Sequence, residues 1–188
     1  MIAHKFLRFG ALGLITKDAW PVPARAGEAG EHGAWRELGD GPLVPCRRGL
    51  HACRVEQMGY WLADELWQVE LGEEWIETRH SLVARRLRLV RRIDAWQGAA
   101  GRAFGEACAA RAEQAFAGAT GPSTLAREYL EQTREFARTK RTRLTAYAAA
   151  LVSSAVVEES QAMAAYDAER RLQGRTLAQL AELSADAV

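Results

Sequence analysis

The sequence predicts an α+β protein. Its N-terminal half should form a small mixed or antiparallel sheet with one main helix, and its C-terminal half an α-helical hairpin or bundle. All six tryptophans and all four histidines lie within the first 96 of 188 residues. The other 92 residues are rich in alanine, glutamate, arginine and leucine, with apolar positions at helical spacing. We therefore expect an α+β module at residues 1–96 and a helical region at residues 97–188 that packs on it.

The N-terminal half contains both strand-like and helix-like patterns. Residues 4–9 alternate in polarity as a first strand does, and the prolines and glycines of residues 21–45 indicate a loop-rich region. Apolar side chains recur at helical spacing over residues 54–66, which predicts a short amphipathic helix. Residues 67–71 then alternate as a strand, and residues 82–93 predict a strand or a bent strand pair with one solvated, arginine-rich face.

The C-terminal half is predicted to be helical throughout. Asp94 is a suitable N-cap for a helix that ends near residue 117, where residues 118–122 contain two glycines and a proline. A second helical stretch continues to about residue 171, and Gly174 is expected to separate a last short helix from it. Because short connections favour antiparallel neighbours, the helices on either side of residues 118–122 should pack as an antiparallel pair.

Composition and charge exclude several classes of protein. A hydrophobic content of 48% and a charged content of 26% are those of a globular chain rather than a disordered one. The net charge of +1 argues against broad electrostatic binding to nucleic acid or to an anionic membrane. No apolar run is long enough to cross a bilayer and no secretory leader is recognisable, so we expect a soluble, cytoplasmic protein. The odd number of cysteines, three, favours free thiols over a disulfide framework.

The segment from Cys46 to Cys53, with the sequence Cys-Arg-Arg-Gly-Leu-His-Ala-Cys, is the candidate functional site. It places two of the three cysteines and one of the four histidines within eight residues, directly before the predicted helix. Side chains alternate along a strand, so His51 and Cys53 should share a face and be largely buried against the core. The candidate ligand-binding residues border one cleft: Arg47, Arg48, His51, Cys53 and Trp61.

The same segment has the spacing Cys-x4-His-x-Cys, which raises the question of zinc. A structural zinc site needs about four nitrogen or sulfur ligands, and His80 or His4 could supply the fourth. Zinc modules usually present two close ligand pairs, and the sequence contains no second pair. We therefore predict neither bound zinc nor another cofactor, because a buried cysteine beside a hydrogen-bonded histidine accounts for the pattern.

Two further patterns have both a chemical and a structural interpretation. Cys53 with His51 or His80 could form a thiolate–imidazole pair, but no flanking pattern of a cysteine protease surrounds it. Five arginines in residues 85–92 could bind phosphate or RNA, or they could pair across strands with the acidic residues of the preceding segment. We expect the cross-strand pairs.

Residues 46–71 resemble an uncharacterised bacterial and phage domain whose hallmark is Gly, a bulky apolar residue and His-Ala-Cys. In this sequence the hallmark is Gly49-Leu-His-Ala-Cys53, with Cys46 upstream and the aromatic pair Tyr60-Trp61 in the following helix. The arginine-rich strand Arg85–Ile93 is also similar to the family. His4-Lys-Phe-Leu and the run Arg91-Arg-Ile-Asp-Ala-Trp96 are similar to its actinobacterial members, so the resemblance covers about residues 1–96. The resemblance implies membership of that family but no activity, because none is established for it.

The order of elements is also similar to that of ADP-ribosyltransferase-like folds, in which a Gly-apolar-His strand leads into a helix and an apolar strand. That resemblance implies a nucleotide pocket, with His51 at the ribose or nicotinamide and Glu70 or Glu77 as the acid. The sequence departs from the pattern in two ways. It lacks a His-Gly-Thr nicotinamide-binding motif, and neither glutamate has recognisable flanking residues.

From these observations we expect a non-enzymatic binding or protein-interaction module. The alternative is an ADP-ribosyltransferase-like enzyme acting on a nucleotide such as NAD, and a third hypothesis is a phage- or defence-related accessory protein. The alanine-rich C-terminal helices fit packing within the chain, a homo-oligomer or a protein partner. We expect no membrane partner and no nucleic-acid partner.

Overall fold

The computed structural model describes residues 1–24 and 32–183 and confirms the α+β class. The strands in these ranges are β1 (Ile2–Leu7), β2 (Arg36–Glu37), β3 (Leu50–Ala52), β4 (Glu65–Leu71), β5 (Trp75–Glu77), β6 (Leu82–Ala84) and β7 (Arg86–Arg92). The α-helices are α1 (Ala99–Ala117), α2 (Thr124–Arg138), α3 (Thr142–Ala155) and α4 (Glu159–Leu180). Two 3-10 helices cover Val55–Tyr60 and Asp94–Gln97. None of the helices in the described ranges is both long and apolar enough to span a membrane.

The strands form two antiparallel sheets that are linked in two places. One sheet has the order β1-β4-β7-β2 and the other the order β3-β6-β5. The sequence predicts a strand or a bent strand pair at residues 82–93, and the structure has the pair: β6 and β7 are separated only by Arg85 and pass from one sheet to the other. At the second link the backbone N–H groups of His4 and Cys53 each donate to the other's carbonyl, at 2.9 and 2.7 Å. This backbone bridge brings the Cys46–Cys53 segment alongside β1.

The buried apolar side chains of the described residues form two clusters, which the alternation along β4 separates. Leu66 belongs to the first cluster, which also contains Phe104 and Leu177 from the helical region. Trp67 and Val69 point to the opposite side and belong to the second cluster, formed by side chains of the two sheets and the loop after β1. The first cluster therefore contains side chains from both halves of the chain.

The helical region is a four-helix arrangement with α3 in contact with the other three helices. The predicted break at residues 118–122 lies between α1 and α2, and Ser123 caps α2 by accepting a hydrogen bond from the backbone N–H of Ala126. The long helical stretch that the sequence predicts after this break is divided at residues 139–141 and again at residues 156–158, so that it forms α2, α3 and α4. The alanines of α3 that face the neighbouring helices are buried: Ala146, Ala148, Ala149 and Ala150.

The predicted helix at residues 54–66 is shorter in the structure. Only Val55–Tyr60 is helical, and it is a 3-10 helix. Glu65 and Leu66 instead pair with Leu7 and Phe6 of β1, because they begin β4. The spacing of the apolar residues correctly indicates that this segment faces the core. Its backbone conformation, however, is set by pairing with a strand that is distant in the sequence.

Gly59 and Gly174 bring the first 3-10 helix and α4 into backbone contact. A Cβ atom on Gly174 would overlap the carbonyl oxygen of Val55, and one on Gly59 would overlap the carbonyl oxygen of Arg170. Both glycines are buried, and α4 continues through Gly174 without interruption. The prediction that Gly174 ends a helix is therefore wrong, because this glycine permits a close approach of two backbones.

Candidate functional site

A cavity of about 440 Å³ lies beside the His4–Cys53 backbone bridge, where β1 meets the Cys46–Cys53 segment. Residues 13–16 of the loop after β1 contribute to its wall. All of the candidate ligand-binding residues line this cavity: Arg47, Arg48, His51, Cys53 and Trp61. The sequence motif therefore borders a real concave surface, whose chemistry depends on what each side chain contacts.

His51 is half-buried, and its imidazole is held by the loop that precedes it. The backbone N–H of Cys46 donates to Nε2 of His51 at 3.3 Å. Cys46 adopts a left-handed backbone conformation, with a φ of 61°, at this point of the loop. Burial, and then the nearby charge of Lys5, lower the pKa of His51. A neutral imidazole whose Nε2 already accepts a hydrogen bond is suited to hold the loop rather than to act as a base.

Cys53 is a buried, neutral thiol. Its side chain is 1% exposed and donates to the backbone carbonyl of His4 at 3.3 Å. Burial raises the pKa of the Cys53 thiol to about 12, so the thiolate that nucleophilic catalysis needs is scarce at neutral pH. The prediction that His51 and Cys53 are largely buried holds for Cys53, whereas His51 keeps part of its surface exposed.

His80 lies away from the cavity wall, against α4. Its ring is 4.3 Å from that of Tyr60, centroid to centroid, and its Nε2 is 3.8 Å from a carboxylate oxygen of Asp167. The indole N–H of Trp61 donates to the backbone carbonyl of His80, which fixes the edge of the tryptophan ring that lines the cavity. His80 therefore orients a wall residue through its backbone and is not placed to pair with Cys53.

Lys5 is the cavity residue with the most unusual environment, and the sequence motif does not include it. Its ammonium group donates to the backbone carbonyl of His51 and lies 4.6 Å from the centroid of the Trp20 ring. Burial is the main cause that lowers the pKa of Lys5 to about 8. The smaller charge effects of Cys53, which raises this pKa, and of Arg36, which lowers it, oppose each other. One signal in the sequence could have found it: Lys5 occupies an inward position of β1 between Ala3 and Leu7, a face that is otherwise apolar.

The charged groups of the wall are unbalanced. Its basic residues other than the histidines are Lys5, Arg36, Arg47 and Arg48. Asp18 is the one carboxylate among the lining residues within the described ranges, and it already pairs with Arg36 at 2.8 Å. Arg48 donates to the backbone carbonyls of Gly39 and Asp40 and so stabilises the neighbouring loop.

Arg47 and His4 have polar atoms without partners in the described part of the chain. The Arg47 side chain is exposed and forms no hydrogen bond or ion pair there. His4 is 3% exposed, and its Nδ1 is buried without a hydrogen-bond partner. Burial, and secondarily the charge of Arg91, lower the pKa of His4 to about 4, so His4 is neutral at pH 7. Among the basic side chains of the wall, Arg47 is thus the one that no other side chain or carbonyl engages within residues 1–24 and 32–183.

Metal-binding geometry is absent from residues 1–24 and 32–183, where no group of three or more His, Cys, Asp or Glu side chains could hold an ion together. Cys46 is exposed, whereas the thiol of Cys53 is directed to the carbonyl of His4. The Cys-x4-His-x-Cys spacing therefore corresponds to a hydrogen-bonded loop and strand in this fold.

The two glutamates that a transferase would need are engaged elsewhere. Glu70 pairs with Arg88 across β4 and β7 at 2.5 Å, and Glu77 pairs with Arg54 at 3.1 Å. Neither glutamate lines the cavity. The Glu70–Arg88 pair also confirms the expectation that the arginine-rich strand forms cross-strand ion pairs.

Known proteins offer no further guide to this site. No protein-family model matches the chain, and neither a curated protein nor a solved structure matches it.

Proposed function

We propose that this protein is a non-enzymatic binding module that holds a small organic anion in the cavity beside the His4–Cys53 bridge. The observation that carries the proposal is the charge of the wall. Lys5, Arg36, Arg47 and Arg48 line it, and the carboxylate of Asp18 is already paired with Arg36. A concave surface on which cations outnumber carboxylates raises the local concentration of anions and binds them.

The size and the walls of the cavity support a ligand with a flat apolar part. A volume of about 440 Å³ is within the range, roughly 300–1,000 Å³, of sites for small molecules. Trp61 offers an aromatic surface whose edge is fixed by the hydrogen bond to His80. A nucleotide combines both properties, an anionic phosphate and a flat base.

The protonation of Cys53 and the hydrogen bonding of His51 support binding rather than catalysis. The Cys53 thiol is neutral at physiological pH, because burial raises its pKa to about 12. His51 Nε2 already accepts the backbone N–H of Cys46. Neither group is in the state that nucleophilic or general-base catalysis requires.

The test is thermal unfolding in the presence of NAD, AMP and adenosine, the last of which lacks the phosphate. Ligand at 100 times its Kd stabilises a protein by about 2.7 kcal/mol. For a chain of this size that corresponds to a rise in Tm of roughly 5–10 °C. We expect NAD or AMP to raise the Tm, adenosine to have a much smaller effect, and Arg47→Ala to abolish most of the rise.

Arg102→Ala is the matched control, because Arg102 is exposed on α1 and does not line the cavity. Its response to NAD and AMP should equal that of the unmodified protein. Equal stabilisation by AMP and adenosine, or an unchanged response in Arg47→Ala, would show that the charge of the cavity does not select the ligand. Absence of any shift at millimolar NAD and AMP would contradict the proposal for nucleotides.

A further inference from the structure

We propose that Lys5 is a carbonyl-reactive amine, which forms an imine with a small aldehyde or ketone held in the cavity. That the carbonyl compound is also anionic rests on the proposed function. The imine itself rests on the position of one lysine and can be tested separately.

Lys5 lies in an unusual position for a lysine. Lysine side chains usually lie in water, yet this one is half-buried at an inward position of β1 and lines the cavity. Its ammonium group forms no ion pair with a carboxylate in the described part of the chain. The charged and titratable groups around it are Arg36 from β2, Cys53 and His51 from the neighbouring strand segment, and Asp18, which is bound to Arg36.

This environment makes the neutral amine accessible at physiological pH. Burial opposes the charged form, and the positive charge of Arg36 adds to that effect, so the pKa of Lys5 is lowered to about 8. At pH 7 about one tenth of Lys5 is then unprotonated, compared with less than about one part in a thousand for an ordinary lysine. The neutral amine can donate one N–H to the His51 carbonyl and keep its lone pair for attack.

The reaction that this geometry allows is a condensation. The nitrogen of the neutral amine forms a bond to the carbonyl carbon, and the carbonyl oxygen takes up a proton to give a carbinolamine. Loss of that hydroxyl group with a second nitrogen proton releases one water and leaves a carbon–nitrogen double bond. No oxidant or reductant is needed. A protonated imine would keep its positive charge near the Trp20 ring, which already lies 4.6 Å from the Lys5 ammonium.

Lysine chemistry in this chain is simple to assign, because the sequence contains only three lysines: Lys5, Lys17 and Lys140. Lys17 and Lys140 are exposed and serve as internal controls. The probe is pyridoxal 5′-phosphate with sodium cyanoborohydride, which converts an imine into a stable amine adduct. Peptide mass spectrometry then gives the rate of adduct formation at each lysine.

We expect Lys5 to be labelled at least tenfold faster than Lys17 or Lys140 at pH 7. The Lys5 rate should level off above about pH 8, where the amine is mostly unprotonated. Lys5→Arg keeps the positive charge but cannot form an imine, so its remaining label should be confined to the exposed lysines and the α-amine of Met1, which fragment ions distinguish from Lys5. Labelling of Lys17 or Lys140 as fast as Lys5, or a Lys5 rate that still rises at pH 10, would overturn the proposal.

Pyridoxal without the phosphate separates this inference from the proposed function. Slower labelling of Lys5 by pyridoxal than by pyridoxal 5′-phosphate, with the difference lost in Arg47→Ala, supports both. Equal labelling of Lys5 by the two compounds, still well above Lys17, supports the reactive amine and contradicts selection of anions by the cavity.

Discussion

His4 is a histidine that the fold keeps uncharged. It is 3% exposed, its Nδ1 has no hydrogen-bond partner in the described residues, and burial lowers its pKa to about 4. The unfolded chain protonates this residue below about pH 6.5, whereas the folded protein does not until about pH 4. The unfolded state therefore binds more protons in that window, and stability falls as the pH falls through it.

We expect His4 to account for a loss of about 2 kcal/mol in the free energy of unfolding between pH 7.5 and pH 5. Urea unfolding of His4→Gln at the two pH values measures this, because glutamine does not titrate. His32→Gln is the control, since His32 is exposed. The pH dependence should shrink in His4→Gln and remain in His32→Gln, and an equal dependence in both variants would show that His4 is accessible to protons in the fold.

Prediction of the site from sequence succeeds for residues that are contiguous. The Cys46–Cys53 segment and Trp61 could be found because unusual residue types lie close together in the chain. Lys5, Trp20 and Arg36 join them only through β1, the loop that follows it and β2. Their assembly depends on which strands pair, and residue spacing does not contain that information.

At the scale of elements, the contact between the first 3-10 helix and α4 depends on two glycines. Replacing glycine by alanine inside a helix normally stabilises a protein by up to about 1 kcal/mol. At Gly174 the new methyl group would overlap the Val55 carbonyl, so we expect the opposite sign. Gly174→Ala should destabilise the protein by about 1–3 kcal/mol or more, measured by urea unfolding.

Gly39→Ala is the matched control, because no atom of the described residues, its chain neighbours aside, lies within 4 Å of the position its Cβ would take. Its free energy of unfolding should change by less than about 0.5 kcal/mol. If Gly174→Ala is as stable as the unmodified protein, α4 and the 3-10 helix are not in close backbone contact in solution.

Local patterns predict the elements better than their ends. The break at residues 118–122 and the bent pair β6–β7 could both be predicted, because each is specified by residues within the segment itself. Gly174 could not be interpreted correctly, since a glycine that ends a helix and one that admits a neighbouring backbone look the same in sequence. Glu65 and Leu66 are likewise in a strand and not a helix because they pair with β1, almost sixty residues away in the sequence.

At the scale of the whole molecule, the first apolar cluster joins the two halves of the chain. It combines Phe6, Met58 and Leu66 with side chains of the helices such as Phe104 and Leu177. A chain that ends after Trp96 would leave its share of this cluster in water. We expect the fragment of residues 1–96 to be insoluble or to bind hydrophobic dyes strongly, because large exposed apolar patches drive aggregation.

Co-expression of residues 97–188 as a second chain is the informative control for this truncation. It should restore soluble protein, since it supplies the missing side of the cluster. A fragment of residues 1–96 that is soluble alone and unfolds cooperatively in urea would show that the N-terminal half folds independently of the helices.

The fold class could be predicted from how residue types are distributed along the chain. Tryptophan and histidine are confined to the first half, and the second half is rich in alanine, with apolar residues at helical spacing. The arrangement of the two sheets could not be predicted in this way. β1 pairs with β4 on one side and meets Cys53 on the other, and both contacts join segments more than forty residues apart. Local periodicity does not specify such partners.

The contact between Gly59 and α4 affects how the protein folds while the ribosome is still synthesising it. About 115 residues of synthesis separate Gly59 from Gly174. At about 5–20 residues per second a ribosome needs roughly 6–23 s to cover that distance. Throughout this interval the face of the first 3-10 helix that α4 will cover, including Met58, stays uncovered on the nascent chain. The growing polypeptide should therefore depend on chaperones that bind exposed apolar segments until α4 has emerged.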